Sequence, residues 1–161
     1  MKKLFETNPN NWSALIARIA LGIVVFPHGA QKLFGWFGGY GFDGTMRFLT
    51  SQAHLPYIIA LLVILIESIG ALFVFFGFAT RIAAFGILAN FIGIVIQNHG
   101  ANGFFMNWAG NQKGEGIEYF LLLFGLTIIL LITGGGKASV DGALTTGRER
   151  TRERLNVFAI F

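Results

Sequence analysis

Four runs of apolar residues, separated by polar and glycine-rich stretches, set the pattern of this chain. The first covers 13–34, with Arg18 its only charge before a polar end at His28, Gln31 and Lys32. The second covers 56–78 and is interrupted by Glu67. The third, 80–97, carries Asn90 in its interior, and the fourth, 117–133, opens on Glu118. A membrane-crossing helix needs about 20 mostly apolar residues, with a range of roughly 17–25. The first two runs meet this outright; the last two meet it with their flanks. None shows the wide polar face of a surface helix in a soluble bundle. The pattern predicts an all-α integral membrane protein, a four-transmembrane-helix bundle. The first run reads as a retained span: a polar stretch, Glu6 to Asn11, parts it from Lys2 and Lys3, Arg18 lies within it, and no A-x-A-like cleavage site follows.

The segments between the runs have their own character. Residues 34–44 read FGWFGGYGFDG, aromatics suited to the headgroup belt among glycines that allow tight turns. Asp43 is placed to cap a short amphipathic helix, Gly44 to Ala53, with Met46, Phe48 and Leu49 apolar. The loop 98–116 is similar in style, with Phe104, Phe105 and Trp108 set among Asn and Gly. Three glycines, 134–136, stop the fourth run. The organisation expected is a cytoplasmic N-terminal segment, 1–12, a transmembrane domain, 13–141, and a basic cytoplasmic tail, 142–161. Small residues at Gly22, Gly70, Gly86 and Gly93 suit close helix packing.

Composition sharpens the class. Of 161 residues, 54% are apolar and 12% charged, against about a quarter charged in soluble domains. That excludes disorder, a fibrous repeat and an ordinary cytosolic enzyme. The absence of cysteine excludes disulfides, thiolate metal sites and dithiol redox chemistry. The net charge of +4 is a topology signal. With four spans, eight of the twelve Lys and Arg residues fall on the side of both termini, and Lys32, Arg47 and Lys113 on the other. The positive-inside rule then puts both termini in the cytoplasm. The basic tail meets anionic lipid; the partner is the bilayer, not nucleic acid.

Ionisable groups inside a span are costly and so mark function. At 1.5 Å per residue, Arg18 sits roughly 8 Å from the inner end of its span, and Glu67 and Asn90 about 13–14 Å from the same face of a core about 30 Å thick. One layer can therefore hold all three, with an Arg18–Glu67 pair at its centre. A bundle-locking ion pair is the plainer use of such a layer. A second layer lies at the outer end, where His28, His99 and Glu118 approach one face, a set able to handle protons at a quinol hydroxyl. No metal is expected there, and His54 reads as a loop residue. No nucleophile elbow, phosphate-binding loop or dinucleotide fingerprint occurs.

Several of these stretches resemble one family. ARIALGIVVFPHGAQKLFG in the first run is similar to the R-x-x-x-G…H-G-x-x-K-L segment of the DoxX family, and GFDGTMRFL to its first outer loop. LIESIGALFVFFGFATR resembles its E-x-x-G-x-x-x-x-x-x-G-x-x-T-R signature, and GGGKASVD its closing segment, with Gly135 where proline is usual. The likeness covers Ala14 to Asp141 and falls on Arg18, His28, Lys32, Glu67, Arg81, Glu118, Ser139 and Asp141. It implies a multi-pass protein of the bacterial inner membrane, related to small subunits of thiosulfate–quinone oxidoreductases, with a quinone as cofactor and a redox partner subunit. The expected function is support of quinone-linked electron transfer at a polar intramembrane site. Glu67, His28 and Glu118 are its expected catalytic groups, and Arg18, Lys32, Asn90 and His99 its cofactor-binding groups. Two other uses stay open: binding or transport of a lipid or small apolar molecule, and a scaffold that recruits proteins. Homo-oligomers fit the free lipid-facing surfaces.

Overall fold

The Asn11 side chain accepts the Ala14 N–H at 3.1 Å and so starts the first long helix. A one-turn helix, α1 (Lys2–Phe5), precedes it; α2 then runs Trp12–Phe34. The computed structural model describes residues 2–147; of the expected basic tail, 148–161 lie outside the described residues. In α2 the stripe Ala14, Ala17, Leu21 and Val25 recurs every three or four residues and is buried. Next come α3 (Gly41–Ser51), α4 (Tyr57–Phe76), α5 (Thr80–His99) and α6 (Glu118–Thr133), with a further helical stretch over 140–147. No strand occurs among the described residues.

α2, α4 and α5 are each long and apolar enough to cross a membrane. α6, with 16 residues, is shorter, about 24 Å at 1.5 Å per residue. These four helices pack in a ring, α2 against α4, α4 against α5, α5 against α6, and α6 back on α2. Their shared core holds Ala71 and Val74 of α4, Ala84, Ile87 and Phe91 of α5, and Phe120, Leu123 and Leu130 of α6. The outward faces stay apolar: Ile16, Ile23, Phe85, Leu122 and Ile132 are all exposed. A contiguous apolar exterior suits lipid, not water.

The α2–α4 contact is the tightest. A Cβ on Gly29 would overlap the backbone carbonyl of Glu67, and one on Gly22 would lie 2.8 Å from Phe75 Cβ. Two glycines one heptad apart thus let the backbones meet. Gly29 was not among the small residues singled out from sequence, and a Cβ on Gly93, which was, would meet nothing within 4 Å.

α3 lies across the end of the bundle remote from α1 and the 134–147 segment. Met46 packs against Ala60 and Ile64 of α4, with Leu33, Phe42 and Leu49 around them. The helix begins earlier than the sequence suggests, so Asp43 sits inside its first turn and not at its cap. There its charge complements the helix dipole.

Candidate functional site

Glu67 is 1% exposed, in the middle of α4. It stands in a π-helical turn, Ile66–Gly70, an irregularity that recurs at functional sites. The contacting helix is irregular at the same height, since Pro27 interrupts its hydrogen-bond ladder just before Gly29. The Lys32 Nζ donates to Glu67 Oε2 at 2.6 Å, and Asn90 Nδ2 donates to Oε1 at 3.0 Å. One buried carboxylate therefore gathers groups from α2, α4 and α5. The pair is net neutral.

Arg18 is not the partner of Glu67. The guanidinium, 2% exposed, donates to the carbonyls of Gly135 at 3.0 Å and Lys137 at 2.9 Å, and to those of Phe75 and Ala138. The depth estimate assumed that α2 and α4 reach the same inner plane. They do not: Gly22 meets Phe75, close to the end of α4, while α2 continues for ten further residues toward its start at Trp12. The register that sets Gly29 beside Glu67 puts Arg18 eleven residues away, roughly 16 Å along the axis.

Around Arg18 the terminal end is closely bonded. Asp141 Oδ1 accepts the Ala79 N–H at 2.8 Å, and Oδ2 accepts the Thr80 N–H at 2.9 Å and its hydroxyl at 2.7 Å. A carboxylate remote in sequence thereby caps α5. Arg81 donates to Leu131 O at 2.9 Å and Ile132 O at 3.0 Å, and to Glu6 O. Thr7 Oγ1 donates to Thr133 O at 2.9 Å and accepts the Gly136 N–H at 2.8 Å. Gly77, at φ 69°, lies where any side chain would collide with Ser139. Family-matched Arg18, Arg81, Ser139 and Asp141 all belong to this frame, far from Glu67.

The three residues expected at the outer mouth are not gathered. His28 is exposed on α2, one turn before Lys32, with no hydrogen bond among the described residues. His99 ends a second π-helical turn, Val95–His99; its Nδ1 lies 2.8 Å from Glu115 O and its ring packs on Phe120. Glu118 Oε1 accepts the Met106 N–H at 2.9 Å and Trp108 Nε1–H at 3.2 Å, so it fastens the loop before α6. No group of three or more His, Cys, Asp or Glu among the described residues could hold a metal ion.

Lys32 also lines a cleft of about 520 Å³ beneath α3. Its walls include Phe48, Leu49, Leu55, Val63 and Ile94, with Gln52, His54, Gln97 and Asn98 at polar positions. Gln97 Nε2 donates to Ala53 O at 3.0 Å, tying α5 to the segment after α3. A concave site that mixes apolar walls with convergent polar groups suits a small molecule. One residue here escaped the sequence reading. Tyr119, in the first turn of α6, has a buried hydroxyl with no partner among the described residues. A phenol at a span end reads from sequence as a belt aromatic, and nothing in the pattern separates the two cases.

Residues 13–108 match the family model described as DoxX. Among curated proteins, "Putative oxidoreductase CatD" of Bacillus subtilis (strain 168) is 32% identical over 92% of this chain and 96% of its own. "Inner membrane protein YphA" of Escherichia coli (strain K12) is 28% identical over 79% of this chain and 86% of its own. No solved structure matches.

Proposed function

The chain belongs to the DoxX family and is a membrane protein, and on that premise we propose that it supports quinone-linked electron transfer at the Lys32–Glu67–Asn90 site. One observation carries the reading: a carboxylate 1% exposed, inside a membrane bundle, is held by a lysine that also lines a cleft of mixed apolar and polar walls. Buried polar groups at this depth mark sites of proton or substrate handling. The residues suit a quinone. The Lys32 ammonium donates to a carbonyl oxygen, and Glu67 holds or releases a proton beside it. Asn90 fixes the rotation of the carboxylate through its 3.0 Å bond, and burial of Glu67 strengthens both interactions. A bound quinone supplies reversible carriage of two electrons and two protons.

The same reading makes α6 the fourth and shortest span, with both termini in the cytoplasm of a bacterium and the protein in its inner membrane. The name of the B. subtilis relative supports an oxidoreductase setting, and that of the E. coli relative the inner membrane. With no cysteine in the chain, electrons would pass to a redox partner subunit, and the lipid-facing helices leave room for homo-oligomers. A second reading, binding of a lipid or small apolar molecule, draws on the lining of the cleft. The Lys32–Glu67 pair carries no net charge and argues against an anionic headgroup, because the headgroup's charge would face the Glu67 carboxylate.

Native mass spectrometry of protein extracted in mild detergent, with absorbance titration by menadione, tests the proposal. The expected results are a co-purifying quinone or a saturable spectral change, weakened about tenfold or more by Glu67→Gln and less by His28→Ala. Extraction free of quinone together with a flat titration overturns it.

A further inference from the structure

The sequence reads His54 as a loop residue; the structure makes it part of the wall of the cleft that Lys32 lines. The chain turns back from α3 to α4 through this residue, whose φ of 53° is left-handed. The ends of α2 and α4 take the same conformation with glycine, at Gly35 (φ 75°) and Gly77 (φ 69°). Glycine adopts it freely, whereas a Cβ makes it strained. Among the described residues the other non-glycine positions with positive φ are Phe37, Ala79 and Ala138. His54 is the one of these with a polar side chain. The turn holds the strain in place. On either side of His54, the Ala53 N–H donates to Phe48 O at 3.1 Å and the Leu55 N–H to Leu49 O at 2.9 Å. Gln97 Nε2 donates to Ala53 O at 3.0 Å. Strain that its surroundings fix in this way recurs at binding sites.

The cleft brings an ammonium from α2 and an imidazole from the α3–α4 turn to one space of about 520 Å³, a size within the range of small-molecule sites. Glu67 takes one Lys32 donor at 2.6 Å, and an ammonium has three. Phe48, Leu55, Val63 and Ile94 add apolar surface between the polar groups. We propose that His54 is a ligand-binding residue of this cleft, whose imidazole bonds one oxygen of a planar two-carbonyl ring while Lys32 bonds the other. The proposal rests on the quinone reading above and names a second polar contact which that reading does not use. An imidazole carries a donor nitrogen and an acceptor nitrogen, whereas an ammonium only donates. His54 can therefore accept from the hydroxyl of the reduced ring as well as donate to the carbonyl of the oxidised one.

The test uses the full chain in detergent, menadione titration, and modification of each histidine by diethyl pyrocarbonate, read by mass spectrometry. Saturating menadione should slow the modification of wild-type His54 severalfold and leave that of His99 unchanged. His54→Gly removes the imidazole and relaxes the turn. The variant should bind menadione roughly tenfold more weakly, and its ligand-free melting temperature should not fall. Weaker binding without loss of stability is a pair of readings that a merely structural histidine cannot give. A wild type that binds menadione while His54 is modified at its ligand-free rate overturns the inference, and so does His54→Gly with wild-type affinity. A lower ligand-free melting temperature for His54→Gly also overturns it, since the imidazole then serves the fold. A wild type that does not bind menadione removes the quinone reading itself, and is told apart because there is no wild-type signal to lose.

Discussion

Arg18 and Glu67 are equally deep, 2% and 1% exposed, yet they are surrounded in different ways. Arg18 has carbonyls on every donor edge, supplied by the end of α4 and the 135–138 turn. Glu67 has one ammonium and one amide, and the lysine that supplies the ammonium also lines a cleft. The first arrangement is complete and leaves nothing for a ligand. The second is incomplete in the way a binding site is, with polar groups whose best partner is still to come. Burial of charge alone does not separate structural from functional groups; the state of their hydrogen bonds does.

The largest effect should come from the complete end. Arg18→Ala strands four carbonyls in the interior, at a cost of about 4 kcal/mol. The midpoint of thermal unfolding in detergent should fall by about 10 °C. Arg18→Lys should recover little of it, since a single ammonium cannot serve the fork of acceptors that a guanidinium does. If Arg18→Ala melts like the wild type and loses menadione binding, the comparison is inverted.

Asp141→Asn should come next. The amide keeps one acceptor oxygen and turns an NH₂ toward the Ala79 and Thr80 donors, for a loss of about 2 kcal/mol. A melting temperature lowered by about 5 °C, with menadione affinity unchanged, is the expected pair of readings. Loss of affinity at unchanged stability would tie this frame to the site.

Much of this division could be read from the chain, and the misses have physical causes. The apolar runs located α2, α4 and α5 because a span must bury or face lipid along its whole length, and Asn90 fell beside Glu67 as the rise per residue suggested. The partner of Glu67 did not follow. Lys32 lies at a polar span end, where lysine ordinarily reaches outward to headgroups; here it turns inward, because Gly29 draws α2 onto the π-turn and brings Glu67 within one helical turn of it. That depends on the stagger between two helices, which depth counted separately along each cannot supply. Glu118 and His99 misled for another reason. Both sit at span ends facing one side, but the loop between them is built on their side chains, and loop hydrogen bonds leave no periodic trace in sequence.

The smallest change in stability should come from removing the candidate site's ion pair altogether. Lys32→Met alone leaves a buried carboxylate without its cation, and Glu67→Leu alone leaves a lysine that can still turn to the cleft, 26% exposed as it is. Replacing both removes the desolvation cost of two ions as well as their attraction, and such exchanges are often neutral or stabilising. The double variant Lys32→Met/Glu67→Leu should unfold within about 1 kcal/mol of the wild type, and less readily than Lys32→Met, while its menadione binding is abolished. That outcome would make the pair a binding device. A double variant that unfolds like Arg18→Ala would instead make Lys32–Glu67 a second lock of the bundle, and the contrast between its two ends would disappear.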